Sequence, residues 1–127
     1  MVKPKSILIV ENDETSNFIM KFVLNSMDSF ESMNTVGDGK EACDYLIAHS
    51  EDLPQLLFLD LNMPGMSGWD FLDWYEENGF KGKMKVVIIT SSVLNEDKRK
   101  AERYEDVLDF IDKPLTKESV QNILAMY

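Results

Sequence analysis

The sequence predicts one α/β domain in which five strand–helix units wrap a parallel sheet. Two observations carry this prediction. The runs Ile7–Val10, Leu56–Leu59 and Val86–Ile89 are nearly uninterrupted apolar stretches, and Val107–Ile111 is a less pure one. Each is too short for a helix and reads as a strand buried on both faces. Between the runs, apolar residues recur at steps of three and four, the period of a half-buried helix. A chain of 127 residues is also the size of one compact domain and buries a core without disulfides or metals.

The elements follow in order. Ile7–Val10 is the first strand. Asp13 then suits the N-cap of a helix whose stripe is Phe18, Ile19, Phe22, Val23 and Met27. Phe30–Val36 alternates and has polar members, which places a second strand at a sheet edge. Ala42, Tyr45 and Leu46 mark the second helix, and Leu56–Leu59 is the third strand. Ser67 suits the cap of a helix carrying Phe71, Leu72 and Tyr75, and Gly79 suits its stop. After the strand at Val86–Ile89, the segment Asn95–Tyr104 has almost no apolar stripe and predicts a helix with a thin buried edge. Val107–Ile111 is the fifth strand, and Thr116 caps a last helix bearing Val120, Ile123, Leu124 and Tyr127. Right-handed crossovers narrow the topologies for such a (βα)5 doubly wound sheet. The flavodoxin-like order 2-1-3-4-5, taken over from that fold, fits five strands with the second at an edge. No repeat or Gly/Pro/Ser-rich linker divides the chain, so residues 1–127 are read as a single domain.

Composition excludes several classes. An apolar content of 44% with 28% charged residues is that of a soluble globular protein. Cys43 is the single cysteine, so no internal disulfide forms, which fits a reducing compartment. Met1–Lys5 is basic, but Ile7–Val10 is far too short for a signal-peptide core. No stretch approaches the roughly 20 apolar residues of a membrane helix, and the expected location is the cytoplasm. A net charge of −10 repels a nucleic-acid backbone and argues against direct binding to DNA or RNA. The same acid excess also serves solubility.

In an open parallel sheet, ligands bind beyond the carboxyl ends of the strands, where strand order reverses. Glu11, Asn12 and Asp13 follow the first strand; Asp60, Leu61 and Asn62 the third; Thr90, Ser91 and Ser92 the fourth; Lys113 and Pro114 the fifth. Acids, amides, hydroxyls and a lysine thus converge on one end of the sheet. The run Asp60-Leu61-Asn62-Met63-Pro64-Gly65-Met66-Ser67-Gly68 resembles the phosphoacceptor signature of response-regulator receiver domains of two-component signalling. The acidic turn, the Thr90-Ser91 pair and the Lys113-Pro114 pair stand in the expected order, with Thr90 30 residues after Asp60 and Lys113 23 after Thr90. The likeness covers essentially the whole chain. Any one of these motifs is weak; together and in register they are specific.

The resemblance implies a role for each residue. Asp60 would be the nucleophile that takes a phosphoryl group from a histidine kinase or histidine phosphotransfer protein; alone, it would read as a turn aspartate. Lys113 would set its ammonium against a phosphoryl oxygen, with the Lys113–Pro114 bond cis as in the family. Thr90 would donate its hydroxyl to a second phosphoryl oxygen and, with Phe110, form the switch pair; the plain alternative for Phe110 is a packed strand residue. The implied Mg²⁺ ligands are Glu11, Asn12, Asp60 and the main-chain carbonyl of Asn62. Asn12 departs from the family, which has a carboxylate there, so weakened Mg²⁺ binding is expected. Asp13 is assigned to capping rather than ligation. Asn62 and Ser92 occupy the two variable positions flanking the acceptor, and neither is suited to general-base work.

The output face implied is the one built from Asn95–Tyr104, the fifth strand and the last helix. Lys98, Arg99, Lys100 and Arg103 make it locally basic, which suits either a solvated helix face or the steering of an acidic partner or a second copy. The expected partners are the phosphodonor and a downstream protein, with a homodimer through this face; neither membrane nor nucleic acid is expected. A stand-alone receiver is expected, with a fragment of a longer protein as the alternative. The chemistry expected is a self-phosphorylating switch and not a turnover enzyme. One competing reading is a pseudo-receiver that takes no phosphate because Asn12 cripples the metal site. Another is an aspartyl-phosphate hydrolase of the haloacid-dehalogenase type, disfavoured because Asn62 stands where such enzymes carry a second aspartate.

Overall fold

The computed structural model describes residues 4–28, 30–91 and 94–127. Its elements alternate strictly: β1 (Ser6–Val10), α1 (Glu14–Ser26), β2 (Ser32–Val36), α2 (Gly39–Ala48), β3 (Leu56–Leu59), α3 (Gly68–Glu77), β4 (Lys85–Thr90), α4 (Asn95–Ala101), β5 (Val107–Asp112) and α5 (Lys117–Met126). The five strands form one sheet in the order β2-β1-β3-β4-β5, and every neighbouring pair is parallel. The predicted (βα)5 flavodoxin-like fold is the fold observed. Order reverses between β1 and β3, so the crevice for ligands opens where Glu11 and Asp60 leave the sheet.

The side-chain period of two gives the sheet its two faces. Leu8, Val10, Leu57, Leu59, Val86 and Ile88 pack toward Ala42, Leu46, Phe71 and Tyr75, that is, toward α2 and α3. Ile7, Ile9, Leu56, Phe58, Val87 and Ile89 pack toward Met20 and Leu24 of α1 and Val120, Ile123 and Leu124 of α5. Both sets are almost fully buried, which explains why the central strands read as unbroken apolar runs. Each large aliphatic buried in this way contributes about 1.5–3 kcal/mol.

Local chemistry fixes the helix starts. Asp13, Ser67 and Thr116 are the N-caps expected, accepting from the main-chain N–H groups of Ser16, Asp70 and Ser119. Asp70 answers Ser67 in a reciprocal capping box. Asp38 caps α2 in the same way through Glu41 N–H. Gly79 follows the end of α3 with a φ of +84°, a left-handed conformation that glycine adopts freely.

Three expectations need correction. Phe18 and Phe22 belong to no buried stripe: they are 71% and 68% exposed and stack on each other at the outer edge of α1. The buried face of α1 is Met20 and Leu24, with Val23 and Met27 packed beside them. The second strand begins at Ser32, because Phe30 turns into the α1–α5 core before pairing starts. The helix starting at Asn95 ends at Ala101 and not at Tyr104. Tyr104 instead leans on α3, stacking on Trp69 and donating its hydroxyl to Asp73 Oδ1 at 2.7 Å. The register of β5 also slips between Val86 and Val87, leaving Leu108 as the extra residue. The impurity of the fifth run is Asp109, on a strand that lies at the sheet edge and is only half buried.

Candidate functional site

Main-chain bonds carry the sheet pairing one step past the strands. Glu11 N–H donates to Val36 O at 3.1 Å, Asp60 N–H to Val10 O at 3.1 Å, and Lys113 N–H to Thr90 O at 2.9 Å. The strand ends are thereby kept level, and side chains from the ends of β1, β3, β4 and β5 meet. Lys113 Nζ lies 3.3 Å from Asp60 Oδ2 and forms an ion pair with Glu11 Oε1. Asp60 Oδ1 accepts the N–H of Asn62 at 3.1 Å, so each oxygen of the Asp60 carboxylate has its own donor. Glu11 Oε2 accepts the N–H groups of Asn12 at 3.1 Å and Asp13 at 3.4 Å. Thr90 is fully buried, and its Oγ1 accepts from the Asn62 side-chain amide at 3.2 Å. The Lys113–Pro114 bond is cis.

Two buried carboxylates beside one ammonium make a charged site with an acid in excess. Burial pushes the Glu11 carboxyl up to about 7, and the neighbouring Asp60 carboxyl pushes the same way, against the pull of Lys113. Burial disfavours the charge on Lys113, yet Glu11 and Asp60 outweigh it and hold the ammonium above the ordinary lysine range. Such a site gains from any ligand that supplies positive charge to the acids.

The motif after Asp60 folds as a tight approach. Gly68 N–H donates to Leu61 O at 3.0 Å, and a Cβ on Gly68 would stand 2.8 Å from Asp60 O. Only glycine lets α3 start against the backbone of the loop that follows Asp60.

Of the residues singled out from the sequence, Glu11, Asp60, Thr90, Lys113 and Asn62 are brought together. Asn12 lies at the exposed rim, next to Glu11. Asp13 is occupied in capping α1. Phe110 is partly buried on the α4 side of the sheet, where it lines a groove with Lys98 and Ala101. Ser92 lies outside the described residues. Among the described residues, no group of three or more His, Cys, Asp or Glu side chains is set to hold a metal ion. The pocket itself holds two carboxylates, Glu11 and Asp60, with the Asn12 amide at its rim. Oxygen donors of this kind still fit Mg²⁺, which takes one or two carboxylates and keeps several waters.

Sequence reasoning missed Asn17, whose side chain donates to Glu11 O at 3.0 Å and ties α1 to the acidic turn. Its signal was a polar residue one turn after the cap, on the side of α1 that faces the sheet. The side chain of Asn62 was also missed as a contact to Thr90.

Residues 7–125 match the model of the response regulator receiver domain. The chain is 28% identical over 122 residues to the probable methanogenesis regulatory protein FilR2 of Methanothrix harundinacea, covering 93% of this chain and 77% of that protein. It is 25% identical to the polar-differentiation response regulator DivK of Brucella anthropi, covering 89% of this chain and 87% of DivK. It spans 52% of the probable C4-dicarboxylate response regulator DctR of Priestia megaterium. The crystal structure of a two-component response regulator from Cytophaga hutchinsonii superposes with a TM-score of 0.90 at 28% identity, covering 96% of this chain and 95% of that one. No helix among the described residues is long and apolar enough to cross a membrane.

Proposed function

The chain belongs to the response regulator receiver domain family of two-component signalling, and on that premise we propose that Asp60 accepts a phosphoryl group. The supporting observation is the grip on its carboxylate: Lys113 Nζ at 3.3 Å from one oxygen and Asn62 N–H at 3.1 Å from the other. Held so, the carboxylate is presented as an oriented nucleophile. An oxygen of Asp60 attacks phosphorus on a phosphohistidine; an O–P bond forms as the N–P bond breaks, and the electron pair leaves with the imidazole. Lys113 neutralises charge that builds on the equatorial oxygens, and the Thr90 hydroxyl donates to one of them. Mg²⁺, held by the Glu11 and Asp60 carboxylates, the Asn62 main-chain carbonyl and the Asn12 amide, would offset the repulsion between carboxylate and phosphoryl group. Asn62, at the variable position two residues after Asp60, carries no basic group, so we read the product as a stored acyl phosphate and the protein as a switch, not a turnover enzyme. Movement of Thr90 and Phe110 would carry the signal to the α4–β5–α5 face, where a downstream partner or a second copy docks. The donor is a histidine kinase or a histidine phosphotransfer protein.

Incubation with acetyl phosphate and Mg²⁺ tests this by mass spectrometry. A phosphoryl-sized gain on the wild-type chain that disappears in Asp60→Asn is expected.

The alternative is a pseudo-receiver, a binding module without phosphate. Asn12, which lowers the carboxylate count, is the observation that favours it. Absence of any mass gain at high Mg²⁺ would decide for that reading.

A further inference from the structure

We infer that the side chain of Asn62 is a positioning residue for Thr90, a role that rests on the phosphoacceptor reading of the site. Asn62 makes two bonds to two different strand ends. Its main-chain N–H donates to Asp60 Oδ1 at 3.1 Å, and its side-chain Nδ2 donates to Thr90 Oγ1 at 3.2 Å. A single residue thus registers the nucleophile of β3 against the hydroxyl of β4. Asn62 is itself exposed, whereas Thr90 is buried at 0% exposure. The amide reaches inward from the rim and meets a hydroxyl that bulk water does not reach.

The bond has two physical consequences. Threonine sits in one of three staggered χ1 wells, and a donor placed on Oγ1 favours the well that turns the hydroxyl toward the acceptor loop. An amide N–H on the oxygen also fixes the polarity of the hydroxyl, which then acts toward an anion through its own O–H. Both consequences hold the Thr90 hydroxyl toward the loop that follows Asp60 before any phosphoryl group arrives. Glu11, Lys113 and the Asn62 main chain act on the carboxylates; the Asn62 amide acts on the hydroxyl.

Leucine has nearly the shape of asparagine and no donor, and every variant at this position keeps the main-chain N–H on Asp60 and the main-chain carbonyl. The test therefore uses Asn62→Leu, Thr90→Val and the double variant. Phosphoryl uptake from acetyl phosphate with Mg²⁺ is timed for each, and the Thr90 χ1 couplings are measured by NMR in wild type and Asn62→Leu. Asn62→Leu should slow uptake roughly 3–10-fold, the scale of losing one oriented contact, and should cause no further slowing in the Thr90→Val background. The couplings should change from a single rotamer to an average. Equal slowing in both backgrounds overturns the inference, and so does a Thr90 that keeps one rotamer without the amide. If the wild-type chain takes up no phosphoryl group, the phosphoacceptor reading falls, and the couplings alone decide whether Asn62 positions Thr90.

Discussion

Acids are buried at both ends of this sheet, and they are treated in opposite ways. At the carboxyl end of the strands, Glu11 and Asp60 are 1% and 4% exposed and share one cation, Lys113. At the other end, Asp106 is 3% exposed and stands before β5, and it is in none of the ion pairs found among the described residues. Its Oδ2 accepts the hydroxyl of Tyr75 and, at 2.7 Å, the N–H of Gly82. This arrangement ties α3, the turn before β4 and the start of β5 together. The carboxyl-end pair is a crowd of like charge with too little compensation; Asp106 is a lone acid supplied with donors. Burial of an acid therefore does not mark a site by itself. The mark is a second carboxylate in the same pocket: burial raises the Glu11 carboxyl first and Asp60 adds to it, and a ligand of suitable charge relieves both.

The largest effect expected from this contrast is at Asp106. Asp106→Ala strands the Tyr75 hydroxyl and the Gly82 N–H, and should lower unfolding stability in urea by about 2–4 kcal/mol. Asp60→Asn, at the crowded end, removes one of two repelling carboxylates and should lose phosphoryl uptake without losing stability. If both variants destabilise alike, the two ends are not of different kinds. The direction for Tyr75 supports the structural role of its cluster: burial, and then the bond to Asp106, hold the phenol above its ordinary range, so the hydroxyl stays a donor at any physiological pH.

Much of this was legible in the residues, for reasons that can be named. Val86–Ile89 and Leu56–Leu59 announced central parallel strands because burial on both faces leaves no room for polar residues. The residues that meet there were legible because each ends a strand or follows one within three residues. The α1 face was not. Its sequence carries two apolar stripes, and at about 100° per residue Phe18 and Phe22 lie roughly opposite Met20. Periodicity alone ranks the larger aromatics first, whereas the choice is made by α5 and by the Asn17 bond to Glu11 O, both set by tertiary structure. The length of α4 was hidden for a similar reason, since Tyr104 is drawn off the helix by Asp73 and Trp69 of α3. The buried role of Asp106 has no local signal, because its donors lie 31 and 24 residues away.

An intermediate effect is expected at Asn12. Its side chain is at the exposed rim beside Glu11, so a carboxylate there adds charge to the site without disturbing the core. Asn12→Asp should tighten Mg²⁺ binding about tenfold in calorimetry, the scale of one added close charge pair. The gain should shrink in Asp60→Asn, where the crowd is thinned. An unchanged affinity would remove Asn12 from the metal-binding set and would weaken the view that this end of the sheet is limited by missing charge.

The smallest effect separates burial from crowding at a group of a third kind. Cys43 is 6% exposed on α2, and its sulfur lies 3.8 Å from that of Met66. Burial pushes its thiol from 9.0 up to about 11, with the nearby Asp44 adding in the same direction. A raised folded value means that the neutral thiol is the form the fold prefers. Its contribution to stability is therefore complete below about pH 9 and is lost as pH rises toward about 11. At pH 8 only roughly one thiol in a thousand would be the reactive thiolate. Alkylation of the folded chain at that pH should be slow, should accelerate as pH rises toward about 11, and should become fast at pH 8 only on unfolding in urea. Rapid labelling of the native chain at pH 8 would mean that α2 opens readily where Met66 covers it. Burial would then be a weaker constraint in this half of the molecule than the silent Asp106 cluster implies.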